Sequence, residues 1–144
     1  MHRYATPDEA ETAYYTAFAA TDVALMGEVW TETAAAVCVH PGGDLLSGRA
    51  EVLRSWADIL NGAQLPEVRY RVLQRMTSDQ LAVHLVEELI RPSHSRDAPN
   101  RVLATNVYHR ATDGWRMVAH HASLPLMTAR PKPADAAPPT RRVH

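Results

Sequence analysis

The hydrophobic period of this chain changes for good between Gly62 and Pro66, and that change decides the architecture. Before it, apolar residues recur mostly at helical spacing, with one short strand; after it, they alternate along strands. Thr6-Pro7-Asp8-Glu9 opens the first helix with a cap, a first-turn proline and two acids at the positive end of the helix dipole. Tyr14, Tyr15, Phe18 and Ala19 continue it, and Thr21-Asp22 interrupts and recaps. A second short helix runs to Trp30, with Val23, Met26 and Val29 on the same stripe. Thr33 to His40 reads as a strand stopped by Pro41-Gly42-Gly43. Gly48 to Leu60 reads as a third helix, with Val52, Leu53, Trp56 and Leu60 on one side and Asn61-Gly62 closing it.

Four long strands follow: Pro66 to Met76, Leu81 to Ile90, Val102 to Arg110 and Trp115 to Ser123, with residues 91–100 as a loop. Thr112-Asp113-Gly114 between the last two is a hairpin signal. Alternation places Val68, Tyr70, Val72 and Met76 on one face of the first strand, and Arg69, Arg71 and Arg75 on the other, with Leu73 interrupting. Helices first and a meander second predict an α+β domain with helices packed on a curved antiparallel sheet. Such a sheet, covered on its concave face, leaves a blind pocket at one end, a common place for a ligand.

Length and charge narrow the function. At 144 residues the chain fits one domain. We expect the folded unit to span 1–124 and the proline-rich segment 125–144 to be a disordered or loosely ordered tail. That segment holds Arg130, Lys132, Arg141 and Arg142 against a single acid, Asp135. A net charge of −1 argues against a nucleic-acid binder. No apolar run is long enough for a membrane helix, and no apolar stretch follows the first arginine as in a secretory signal. A single cysteine, Cys38, excludes an internal disulfide. The expectation is therefore a cytoplasmic protein with neither nucleic-acid nor membrane partners. Eight histidines show no metal-ligand spacing, so neither a metal nor any other cofactor is expected.

The segments TAAAVCVHPGG, SGRAEVLRSW and NVYHRATDGWRMVAHHAS resemble the nuclear-transport-factor-2-like superfamily over roughly residues 8–124. The nearest-looking branches are the SnoaL-like proteins and the association domain of calcium/calmodulin-dependent protein kinase II. The resemblance implies a cone: three helices on a curved sheet (a cystatin-like roll). This fold hosts isomerases, cyclases, dehydratases and oligomerisation modules, so fold alone does not assign an activity.

The resemblance also points to residues. Where ketosteroid-isomerase-like members keep a general-base Asp before a proline, this chain has His40, whose imidazole titrates near neutrality. Tyr14 falls where those isomerases place an oxyanion-donating phenol, although only one of Tyr14 and Tyr15 can face that way. Asn106 falls near their protonated Asp and can donate the same hydrogen bond. These three form the candidate catalytic set. Trp30 and Trp56 read as core and pocket wall. Glu87 and Glu88 must face opposite ways, as must His120 and His121; alternation puts His121 with Trp115 and Met117, and Glu87 is taken as the ligand-facing acid. The first reading is a pocket protein for a small polar or carboxylate-bearing ligand, with cofactor-free isomerase, dehydratase or cyclase chemistry. The second is a non-catalytic association module. In both, a homodimer forms through the outer sheet face, with Leu73, Val86, Ile90 and Val118 as candidate contacts.

Overall fold

The computed structural model describes residues 3–62, 65–93 and 95–127. Helix α1 (Pro7–Ala20) leads into α2 (Val23–Val29). Strands β1 (Val37–Val39) and β2 (Leu45–Ser47) follow, then α3 (Arg49–Gly62). Four long strands complete the domain: β3 (Pro66–Thr77), β4 (Leu81–Pro92), β5 (Asn100–Ala111) and β6 (Gly114–Ser123). The expected tail lies, from residue 128 onward, outside the described residues.

Local chemistry sets these boundaries. Thr6 Oγ accepts the Glu9 amide at 3.1 Å, and Asp22 Oδ1 accepts that of Leu25 at 2.9 Å, so both expected caps form. Thr21 ends α1 in the left-handed conformation at φ 51°. Arg49 closes α2 from a distance, donating to the carbonyls of Gly27, Trp30 and Thr31 at 2.8–2.9 Å. The β5–β6 turn needs its glycine. Gly114 has φ +117°, and a Cβ there would sit 2.8 Å from the Tyr4 carbonyl, which accepts the Trp115 amide.

The six strands run in the order β2-β1-β6-β5-β4-β3. All neighbours are antiparallel except β1 and β6, which are parallel. Helix α1 crosses the concave face over β3, β5 and β6, and α3 covers β1 and β2. The core between them holds Tyr14, Met26, Trp30, Val52, Trp56, Val86, Tyr108 and Met117. This is the expected α+β cone.

Two β-bulges change which residues face inward. One at Leu73 in β3 shifts the register between Val72 and Gln74; the other, at Val118 in β6, shifts it between Met117 and Ala119. Simple alternation puts Met76 inside and Arg75 outside. The bulge reverses both, because Arg75 pairs with inward-facing His84 and Met76 with Val83 on the opposite face. The same reversal in β6 turns His120 inward and His121 outward. Of the four apolar contacts expected on the outer face, Leu73 stands there; Val86 is core, Ile90 packs on the inner cluster of Val102, Ala104 and Ala122, and Val118 is the bulge residue.

Candidate functional site

Sheet register builds the site. Cys38, His120, Asn106, His84 and Arg75 lie side by side on five successive strands, forming a polar row across the concave face. Helix α1 runs over this row and answers three of its residues, Arg75, His84 and Asn106. Asp8, at the solvent end, accepts Arg75 Nε at 3.0 Å. One turn on, Glu11 is 2% exposed and accepts three hydrogen bonds. These come from His84 Nδ1 at 3.0 Å, Tyr108 Oη at 2.7 Å and Asn106 Nδ2 at 3.4 Å. Tyr15 then accepts Asn106 Nδ2 at 3.0 Å and donates to Glu88 Oε2 at 2.6 Å. A buried carboxylate with three donors is stabilised in place, since each donor recovers part of its lost hydration.

At the far end, His120 Nδ1 meets Asn106 Oδ1 at 2.6 Å. The ring of His120 lies 5.2 Å from that of Tyr14 and 6.3 Å from that of Trp56. His40 packs edge-on against the same Trp56 at 5.0 Å. Its Nε2 lies 3.0 Å from Ser55 Oγ, which donates its own proton to the Val52 carbonyl at 2.7 Å. Nε2 of His40 must therefore donate, leaving Nδ1 unprotonated. Cys38 Sγ is 3.7–3.9 Å from the His40 ring nitrogens.

The electrostatics follow from burial. Desolvation lowers the pKa of His40 and holds that of His120 down to about 3, helped by neighbouring His40 and His121. Burial raises Glu88 to about 7 against the pull of the Tyr15 hydrogen bond, with Glu11 adding to the rise. It also lifts the Cys38 thiol to about 12, which makes it an unreactive sulfhydryl. Two donors in this corner, Tyr14 Oη and Trp56 Nε1, are buried with no hydrogen-bond partner among the described residues.

Of the residues singled out from sequence, Tyr14, His40, Asn106 and Trp56 therefore meet in one corner. Trp30 is fully buried at the bridge to Met117, outside this set of ring contacts. Glu87 and His121 stand on the outer face. Glu87 pairs there with Arg71 at 3.2 Å and Arg101 at 2.7 Å, and these cations hold its carboxyl below the usual range. The inward acid is Glu88. Glu11, Tyr15, His84, Tyr108 and His120 also line this row and lie outside the candidate set read from sequence. Glu11 carries a legible signal, since it precedes Tyr14 and Tyr15 by three and four positions on the same helix face. Asp8, Glu11 and His84 bring ligand atoms within 4.8 Å of one another. In this grouping Arg75 already bonds Asp8 and His84 already bonds Glu11.

Comparison with known proteins agrees with this fold. A SnoaL-like domain model matches residues 8–127. A crystal structure from Thiobacillus denitrificans, provisionally named as a calcium/calmodulin-dependent protein kinase type II association domain, superposes with a TM-score of 0.81 at 34% identity, covering 86% of this chain and 98% of that one. A provisionally named dehydratase of the NTF2-like family from Streptomyces avermitilis superposes with a TM-score of 0.75 at 32% identity, covering 85% of this chain and 100% of the other. Among curated proteins, the F-box protein SKIP8 of Arabidopsis thaliana is 27% identical over 121 residues, and the match spans 81% of this chain but only 48% of that protein. The cone, its register and these matches give one conclusion: the chain belongs to the SnoaL-like domain family, within the nuclear-transport-factor-2-like superfamily.

Proposed function

We infer that the corner bounded by His40, Tyr14, Trp56 and His120 binds a small polar organic molecule and moves a proton on it without a cofactor. The observation that carries this reading is the pair of unpartnered buried donors, Tyr14 Oη and Trp56 Nε1, beside two imidazoles held neutral by burial. Leaving a buried donor unpaired costs about 1–3 kcal/mol, and the Tyr14 and Trp56 rings that carry these two lie 5.6 Å apart, which supports reading the corner as a place for an acceptor. A carbonyl oxygen of the ligand would take both hydrogen bonds. The unprotonated Nδ1 of His40, half-buried at the end of β1, would accept the proton. The same groups would stabilise the enolate in an isomerisation, dehydration or cyclisation. The arginines paired with Glu87 lie outside, while the interior holds the carboxylates Glu11 and Glu88. That charge pattern favours a neutral carbonyl compound over a carboxylate.

The indole N–H signals of Trp30, Trp56 and Trp115 test this when a panel of small ketones and aldehydes, with matched carboxylates, is added to labelled protein. The reading expects the Trp56 signal to move with neutral carbonyl compounds while those of Trp30 and Trp115 stay. It is abandoned if no compound moves Trp56, or if His40→Ala leaves a detected turnover intact.

A specific observation supports a second role. Leu73, Leu81 and Leu85 are 45%, 44% and 37% exposed on the outer face, beside the Arg71–Glu87–Arg101 cluster. Leu73, Leu85 and Leu103 line a groove of about 400 Å³ there. We propose that this face joins two copies of the chain, the apolar strip forming the centre and the ion pairs the rim. Light scattering at micromolar concentration gives a dimer mass if this is so and a monomer mass if it is not.

A further inference from the structure

Asn106 has no hydrogen left for a ligand. Its two amide protons go to Glu11 Oε2 and Tyr15 Oη. Both partners are acceptors there: Glu11 takes protons from His84 and Tyr108, and Tyr15 spends its own on Glu88. The opposite amide orientation would set Oδ1 against the Glu11 carboxylate, so the network admits only one. Oδ1 therefore points at His120 Nδ1, 2.6 Å away, and that nitrogen must carry the proton. Its other nitrogen, Nε2, is then a bare lone pair on a ring packed against Tyr14 and Trp56.

We propose that His120 is a hydrogen-bond acceptor of the interior, presented through an unprotonated Nε2, and that Glu11, Tyr15 and Asn106 are positioning residues that fix this tautomer. The chain of command runs from α1 through β5 to β6. The Glu11 carboxylate orients the Asn106 amide, and the amide selects which His120 nitrogen holds the proton. Burial works in the same direction by keeping the ring neutral. What this lone pair is for rests on the ligand-binding reading above. The tautomer does not, because it is a property of the unliganded chain.

Imidazole nitrogen spectra of the full-length labelled protein at neutral pH test the proposal, with His120 identified through its ring contacts to Tyr14. In the wild type the Nδ1–H form should be the majority species and Nε2 should show no attached proton. Asn106→Leu, which removes the acceptor while filling similar space, should make Nδ1–H the minority. Glu11→Gln can turn its own amide toward Asn106 and should shift the balance partway. If Asn106→Leu does not fold, the wild-type spectrum decides alone. Nε2–H or a doubly protonated ring at His120 in the wild type overturns the proposal, as does an unchanged Nδ1–H majority in a folded Asn106→Leu protein. Either result leaves the Trp56 ligand titration standing as a separate test.

Discussion

The concave face of the sheet carries His84, Glu88, Asn106 and His120, all at most 3% exposed, whereas the outer face carries Leu73, Leu81 and Leu85, all at least 37% exposed. The same strands supply both, so the difference comes from what lies opposite. On the concave side, α1 brings hydrogen-bonding groups to Arg75, His84 and Asn106, three of the five residues of the row, which makes burial of charge tolerable. On the outer side nothing in the described residues covers the leucines, and Glu87 there pairs with Arg71 and Arg101. The polar interior is tolerated because α1 meets most of its hydrogen bonds, and the proposed second copy would cover the apolar exterior.

The largest effect should come from breaking the interior. Glu11→Ala strands His84, Tyr108 and Asn106 at once, and urea unfolding should show a loss of about 3–5 kcal/mol. A loss below about 1 kcal/mol would mean that the row is merely tolerated.

Glu88 comes next and acts through pH. Its folded pKa of about 7 lies above the ordinary 4.5, so its proton is held more tightly in the folded state. That contribution is complete below about pH 4.5 and is lost as pH rises to about 7. Glu88→Gln keeps an acceptor for Tyr15 and should gain about 3 kcal/mol over the wild type above neutrality, with little difference at low pH. His120 has the opposite sign: its folded pKa of about 3 lies below 6.5, so its contribution is present above pH 6.5 and is lost as pH falls through that range. The two slopes oppose one another between about pH 4.5 and 6.5, and Glu88→Gln should expose the histidine's slope there. Unfolding curves of the two proteins across pH 4–8 check both signs.

The outer face should respond in assembly rather than in folding. Leu85→Arg should halve the mass seen by light scattering while changing unfolding of the domain by no more than about 1 kcal/mol. The smallest effect belongs to the rim: Arg71 is 71% exposed, and Arg71→Ala should cost under about 1 kcal/mol by urea unfolding, and less at high salt.

Sequence and structure part company at particular residues. The helices, the long strands and the Asp113-Gly114 hairpin were legible because capping, period and turn chemistry are local. Strand β2, three residues long after Gly42-Gly43, left no periodic trace. The bulges at Leu73 and Val118 were illegible because an extra residue shows only against a partner strand, and each reversed a parity: Arg75 for Met76, His120 for His121. The family resemblance points to Tyr14, His40 and Asn106, but not to the hydrogen bonds each of them makes. Asn106 was read as a donor to a ligand and is spent on Glu11 and Tyr15. Glu11 shares the helix face of Tyr14 and Tyr15, yet an acid on an amphipathic helix usually faces water, and it is the sheet beneath that buries this one.

The central claim is that the corner around Trp56 awaits an acceptor while the outer face awaits a second copy. A high-resolution crystal structure of the purified protein tests it most directly. The account predicts an ordered ligand or water within hydrogen-bond distance of both Tyr14 Oη and Trp56 Nε1, and two copies packed through Leu73 and Leu85. A corner in which both donors are bonded to the protein's own side chains, with the outer face open to solvent, would contradict it.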